Sequence, residues 1–283
     1  MQGHGPVRTR QLPSGWYPDD PDEIRSLAAA WTSHVPSLSA MAAIGPHAGW
    51  YFSGNLAAKA VWALGDCDTV AVLGGHLRYG DPILFADEVQ FDCAVRMVDN
   101  DFGMLDALKS ELADVGIKEI VRERSVDNSV EVMLPLVATR FPEARILWLR
   151  IPPDYKAKEV GSALMRAATV CNRKLAVLGS TDLTHYGPNY GFMPKGIGDA
   201  AADWVRNEND RGFISAVLSM DPDKALVHAR ERYSACSAGA AAATIAFALD
   251  SGARRSVLIG HTLSWDVHKD RSFVGYAAIA FVP

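Results

Sequence analysis

The sequence predicts an α/β fold: a single three-layer α/β/α sandwich around a mostly parallel or mixed sheet. Three observations predict it. Short apolar, β-rich runs alternate with longer helical patterns, the order expected of a sheet covered by helices. Several runs are apolar throughout, such as Val70-Ala71-Val72-Leu73, and strands buried on both faces read that way. No repeat, low-complexity tract or long linker divides the 283 residues, so residues 1–283 are expected to form one domain, a size that α/β folds often reach.

The elements follow in order. The first strand, residues 41–44, is the run Met41-Ala42-Ala43-Ile44. Glycines 49 and 54 permit a tight turn after it, and Ser53 is placed to cap a helix over 54–64. The all-apolar strand at 69–73 follows, then a longer strand at 83–91 and helical patterns over 103–115 and 129–140. Strand 145–151 leads to a helix over 157–171, and strand 175–178 to helices over 197–218, 222–232 and 237–250. Two closing strands, 255–259 and 274–281, succeed each other closely, so an antiparallel edge is expected.

Composition excludes several classes. The chain is 49% hydrophobic and 22% charged, unlike a disordered, collagen-like or disulfide-scaffold protein. The formal net charge is −5 and no Lys/Arg-rich run stands out, so a broad nucleic-acid-binding face is not expected. The start is polar and Pro-rich with no apolar h-region, so no signal peptide is expected. The nearest candidate membrane segment, 235–249, is short and contains Ser and Thr, so no membrane association is expected. Cys67, Cys93, Cys171 and Cys236 form no CxxC pair. Reduced thiols and a cytoplasmic location are the expectation.

Polar, His-bearing segments come directly after three of the apolar runs. Gly45-Pro46-His47 follows the first, Gly74-Gly75-His76 the second, and Ser180-Thr181-Asp182-Leu183-Thr184-His185 the fifth. Open α/β sheets build their sites beyond the carboxyl ends of the strands, so these histidines are candidates to share one crevice. Each also has a plainer reading: a loop histidine at His47, a Gly-Gly turn at His76, an Asx turn at Asp182. Asp182 can orient an imidazole, and His185 can take or give a proton near neutral pH. Cys236 opens the Ala-rich helix, where a thiolate is favoured; its plainer reading is a buried apolar residue. Two imidazoles with one thiolate or carboxylate would suit Fe(II), Zn or copper. His4, His34, His228, His261 and His268 have no comparable position and are expected to serve the surface or local hydrogen bonds.

These segments together resemble the Memo family, the B component of the AmmeMemoRadiSam system. The resemblance runs along nearly the whole chain. It is carried by Gly15-Trp16-Tyr17-Pro18, Pro46-His47-Ala48-Gly49, Asn128-Ser129-Val130-Glu131-Val132-Met133-Leu134-Pro135, Ser180-Thr181-Asp182-Leu183-Thr184-His185-Tyr186-Gly187, Cys236 and Ser272-Phe273-Val274-Gly275-Tyr276. The chain departs from the pattern at Gly74-Gly75-His76-Leu77, one residue short of the usual G-P-x-H-H. It departs again at Asn128, where the family has His, and at Met133 and Ser237.

The resemblance implies a LigB-like fold, shared with class III extradiol dioxygenases. It implies a mononuclear centre of His47, His76 and Cys236, most simply for non-haem Fe(II), with copper or Zn as alternatives. His185 would be the acid/base residue with Asp182 beside it. Trp50, Tyr51 and Tyr186, which flank these motifs, are the candidate substrate contacts. Redox or oxygenase-type chemistry on a small molecule is the implied function, with a functional link to a radical-SAM protein. A peptide-binding signalling scaffold is the alternative, and extradiol ring cleavage a third reading, disfavoured by Cys in the carboxylate position.

Overall fold

The computed structural model describes residues 6–35 and 38–283; His4 lies outside them. In chain order the elements are β1 (Val7–Arg8), α1 (Pro21–Thr32), β2 (Ala42–Gly45), α2 (Trp50–Ala63), β3 (Thr69–Gly74), β4 (Ile83–Phe85), β5 (Gln90–Asp92), β6 (Met97–Asp99), α3 (Phe102–Asp114), β7 (Ile120–Arg122), α4 (Asn128–Glu131) and α5 (Leu134–Arg140). Then come β8 (Arg145–Arg150), α6 (Lys156–Val170), β9 (Leu175–Ser180), β10 (His185–Tyr186), α7 (Asp199–Trp204), α8 (Asp210–Leu218), α9 (Pro222–Arg232), α10 (Ala238–Asp250), β11 (Arg255–Leu263) and β12 (Phe273–Val282).

A nine-stranded mixed sheet runs β10-β12-β2-β9-β3-β8-β4-β7, with β11 on β12. Its centre, β2-β9-β3-β8, is parallel. Antiparallel pairs flank it: β12 against β2, β10 and β11, and β4 against β8. The central strands are apolar because both faces are covered. Alternate residues enter opposite cores. Ala71, Leu73, Leu147, Leu149 and Val177 face α3, α6 and α10. Val70, Val72, Ile146, Trp148 and Leu178 face α1, α2 and α5. This period of two is what places one helical layer on each side.

Four expectations are corrected. The strand expected at 83–91 divides: β4 joins the large sheet, whereas β5 joins β1 and β6 in a small second sheet. The strand is interrupted between Phe85 and Gln90, where the Asp87 and Glu88 carboxylates pair with Arg122 and Arg8. The helix at 129–140 breaks between Glu131 and Leu134, where Pro135 opens a new helix and lacks the N–H to continue the old one. Ser53 does not cap α2; the helix starts at Trp50 with Gly49 at the cap, and the Ser53 hydroxyl donates to the Ala48 carbonyl. The stretch 197–218 is α7 and α8 joined by a π-helical turn over Val205–Asn209. Helix α1 was not expected, though Asp20 caps it, Pro21 opens it and Asp22 and Glu23 fill its first turn, the usual start signals.

Among the described residues no helix is long and apolar enough to cross a membrane, and all four cysteines are free.

Candidate metal centre

The order β2-β9-β3 builds the centre. These three neighbours are parallel, so the segments leaving their carboxyl ends emerge side by side. His47 leaves β2, Thr181 and Asp182 leave β9, and His76 leaves β3. Helix α10 packs across β9 and β3 and brings Cys236 to the same place. That approach needs glycine: a Cβ at Gly179 would collide with Thr244, and one at Gly75 with Ser237.

His47 and His76 present their Nε2 atoms to each other at 3.2 Å, and the Cys236 sulfur lies 3.2 Å from His47 Nε2. All three donor atoms fall within 4.8 Å of one another. Donors bound to one ion at about 2.0–2.3 Å in tetrahedral directions stand roughly 3.3–3.6 Å apart. The triangle therefore has the size to hold a single ion, and its N/N/S donor set suits a transition metal. The shortened Gly74-Gly75-His76 motif still delivers its imidazole, with His76 in the left-handed region at φ 58°.

Each ring is held by its other nitrogen. His47 Nδ1 lies 3.0 Å from the Ser180 hydroxyl. His76 Nδ1 lies 2.9 Å from Asp127 Oδ2, and since a carboxylate only accepts, Nδ1 carries the proton. Such contacts leave Nε2 as the ligand atom. Asn128, in the place of the family histidine, donates to the His47 carbonyl at 2.9 Å.

Burial and the neighbouring charges pull these groups in opposite directions. Burial works against the Cys236 thiolate, but the two imidazoles overrule it and hold the thiol well below its usual range. Burial likewise opposes charge on His76, yet Asp127 and Cys236 raise it to about 10. His47 is raised against burial by Cys236 and Asp182. Burial pushes the Asp182 carboxyl up.

A cleft of about 640 Å³ opens on the centre, lined by Cys236, His185, Leu77, Tyr79, Tyr190 and Tyr233 among others. His185 Nδ1 donates to the Leu183 carbonyl at 3.1 Å, so Nε2 is its remaining proton-exchanging atom. Asp182 is not the residue that orients it. Its Oδ1 accepts from the His47 backbone N–H at 2.7 Å, and its Oδ2 lies 4.0 Å from His47 Nε2. The backbone of the loop bends Asp182 under His47 and carries His185 outward on β10.

The aromatic candidates divide. Tyr186 is fully buried, stacks on Phe273 and donates its hydroxyl to the Gly196 carbonyl. Trp50 is buried, with Nε1 donating to the Val132 carbonyl. The polar atoms of both are already satisfied inside the protein. Tyr51 is exposed on a different cleft, which Trp50 also lines together with Trp16 and Trp31.

Sequence reasoning missed Asp127, Ser180 and Arg150. Asp127 and Ser180 sit at the ends of recognised segments, but nothing in their own spacing marks them as partners of histidines. Glu131, within a recognised motif, is structural. It accepts from the Gln11 and Leu12 N–H groups and the Tyr17 hydroxyl, tying down the N-terminal segment.

A family model described as Memo-like protein matches residues 8–280. A MEMO1 family protein of Thermococcus onnurineus is 26% identical, over 97% of this chain and 99% of its own length. One of Methanosarcina barkeri is 28% identical, over 96% and 99%. One of Nitrosopumilus maritimus is 30% identical, over 84% and 83%. The family match takes in both imidazoles, the thiol and the loop that carries His185, and this chain belongs to the Memo-like protein family.

Proposed function

We propose that this protein is a cytoplasmic metal enzyme with a LigB-like fold in one domain. It performs redox or oxygenase-type chemistry on a small molecule held in the cleft. Non-haem Fe(II) is the first choice of ion, with copper and zinc as the alternatives. One observation carries the reading: two imidazoles anchored through Nδ1 converge with the Cys236 thiol, which itself lines an open cleft.

A bound redox-active ion would supply electron transfer and open coordination positions for a substrate. The protein supplies the rest. Cys236 and the imidazoles would bind the ion, Asp127 and Ser180 orient the rings, and Leu77, Leu183 and Phe192 give the cleft apolar walls. His185 Nε2 takes or gives a proton at the cleft. Extradiol cleavage fits less well, because a thiolate stands where that chemistry uses a carboxylate. A peptide-binding scaffold would use the same cleft, whose apolar walls suit a side chain. A functional link to a radical-SAM protein is the partner this reading anticipates.

Metal analysis of anaerobically purified protein tests the reading. Near-stoichiometric iron or copper is expected, with loss in Cys236→Ser and His76→Ala; zinc alone would keep the metal site but refute the redox chemistry. A folded wild-type protein that holds none of these ions and takes up none when supplied overturns it.

A further inference from the structure

We propose that Asp127 and Arg150 act as a positioning pair that keeps the His76 imidazole turned with Nε2 toward the Cys236 sulfur; this rests on the metal-centre reading above. Arg150 ends β8, directly opposite Gly74 in the β3–β8 register, so its side chain emerges beside the turn that carries His76. Its Nε donates to the Gly75 carbonyl at 2.8 Å. Nη1 donates to Glu123 Oε2 at 2.7 Å and to the Ser125 hydroxyl at 2.9 Å. Nη2 lies 3.2 Å from Asp127 Oδ2. One planar fork thus holds the backbone before His76, the carboxylate on its ring and a third anchor.

Asp127 is equally committed. Oδ2 meets His76 Nδ1 and Arg150, while Oδ1 accepts from the Ser129 backbone N–H at 2.8 Å and from the Ser129 hydroxyl. Ser129 Oγ in turn accepts from Gly75 N–H at 3.0 Å. Both Asp127 and Arg150 are buried, so the support behind the more exposed His76 ring cannot relax into water. His76 also occupies the left-handed backbone region, which a non-glycine residue keeps only when its surroundings hold it there. Lysine at 150 would keep the charge and lose the fork.

Asp127 also caps α4, so the test must separate capping from ring orientation. Asp127→Asn does so. Its amide has one oxygen, and if that oxygen caps Ser129, an NH₂ faces His76 Nδ1. That arrangement favours the proton on Nε2, the atom a metal needs free. Cobalt(II) binding, followed by its thiolate-to-metal absorption, is expected to weaken about 10–100-fold in Asp127→Ala and Asp127→Asn, and to a smaller extent in Arg150→Lys. Independently of metal, proton NMR of the metal-free protein is expected to show an exchange-protected imidazole N–H, assigned to His76 by its loss in His76→Gln. It should vanish in Asp127→Ala while far-UV circular dichroism stays native. Survival of that resonance in folded Asp127→Ala, or cobalt affinity equal to wild type in both Asp127 variants, overturns the proposal. A wild-type protein that binds no cobalt refutes the metal reading instead, and the imidazole resonance still decides the role of Asp127.

Discussion

Gly75→Ala should damage the metal centre more than the fold. An added Cβ would collide with the Ser237 side chain and come within 2.7 Å of Ser237 Cα. The neighbours cannot simply swing away. Gly75 is held through its N–H by Ser129 and through its carbonyl by Arg150, and Ser237 N–H is held by Thr181 Oγ1 at 3.1 Å. Restoring an ordinary carbon–carbon contact of about 3.5–4.0 Å requires the start of α10 to retreat from the end of β3 by roughly an ångström. Cys236 precedes Ser237 and His76 follows Gly75, so the same retreat pulls the sulfur from the imidazole. Metal sites tolerate only about 0.2 Å in ligand distance. A loss of about 10–100-fold in affinity for zinc or cobalt is therefore expected, of the size that disturbed outer contacts produce. Overpacking costs about 1–3 kcal/mol, which for a chain of this length lowers Tm by roughly 2–5 °C. Gly103→Ala is the control. Gly103 is exposed in α3, and its added Cβ meets only Asp101 Oδ1 at 3.5 Å, so it should leave binding unchanged and stabilise by up to about 1 kcal/mol. Metal titration and thermal melts on both variants decide the matter. Wild-type affinity in Gly75→Ala would show that the β3–α10 contact does not set the donor triangle.

His185→Ala is expected to keep the metal and lose turnover by about 10²–10⁴-fold on a substrate found by metabolite screening; loss of metal would make His185 a ligand, and unchanged turnover would make it structural. Ser125 and Arg150 outweigh burial and hold the Glu123 carboxyl below its ordinary value of 4.5, so its contribution to stability is present above that pH and lost as pH falls through the depressed value. Glu123→Gln, which leaves Arg150 short of a buried partner, should be less stable by about 3 kcal/mol at pH 7. Melts should show the gap narrowing below pH 4.5, and a gap constant with pH would refute the assignment. Limited proteolysis should release no stable half-length fragment, since β12 pairs with β2 across the chain and the C-terminal strand is fully buried; such a fragment would contradict one-domain behaviour.

What could be read ahead of the structure was whatever repeats over a few residues. The apolar runs at β2, β3, β8, β9 and β12 declared buried strands, because burial on both faces leaves few polar positions, and those at the ends of the runs. The split of 83–91 could not be read so, because the interrupting Asp87 and Glu88 find their partners Arg122 and Arg8 only in the folded chain. Nor could Tyr186 be placed, because whether an aromatic lines a cleft or fills a core depends on what Phe273 and Gly196 do.

The sequence alone was enough to name His47, His76 and Cys236, each at the end of an element where α/β sheets expose function, and to tie them to a family. The tertiary structure alone decided that they meet. Their donor atoms are 29 and 189 positions apart along the chain, and local periodicity carries no information over such distances. It took the strand order β2-β9-β3, with α10 seated on glycines, to bring them within one ion's reach. The same long-range packing turned Asp182 toward His47 and recruited Asp127 and Arg150 to His76, because a buried polar atom takes its partner from whatever the fold sets beside it.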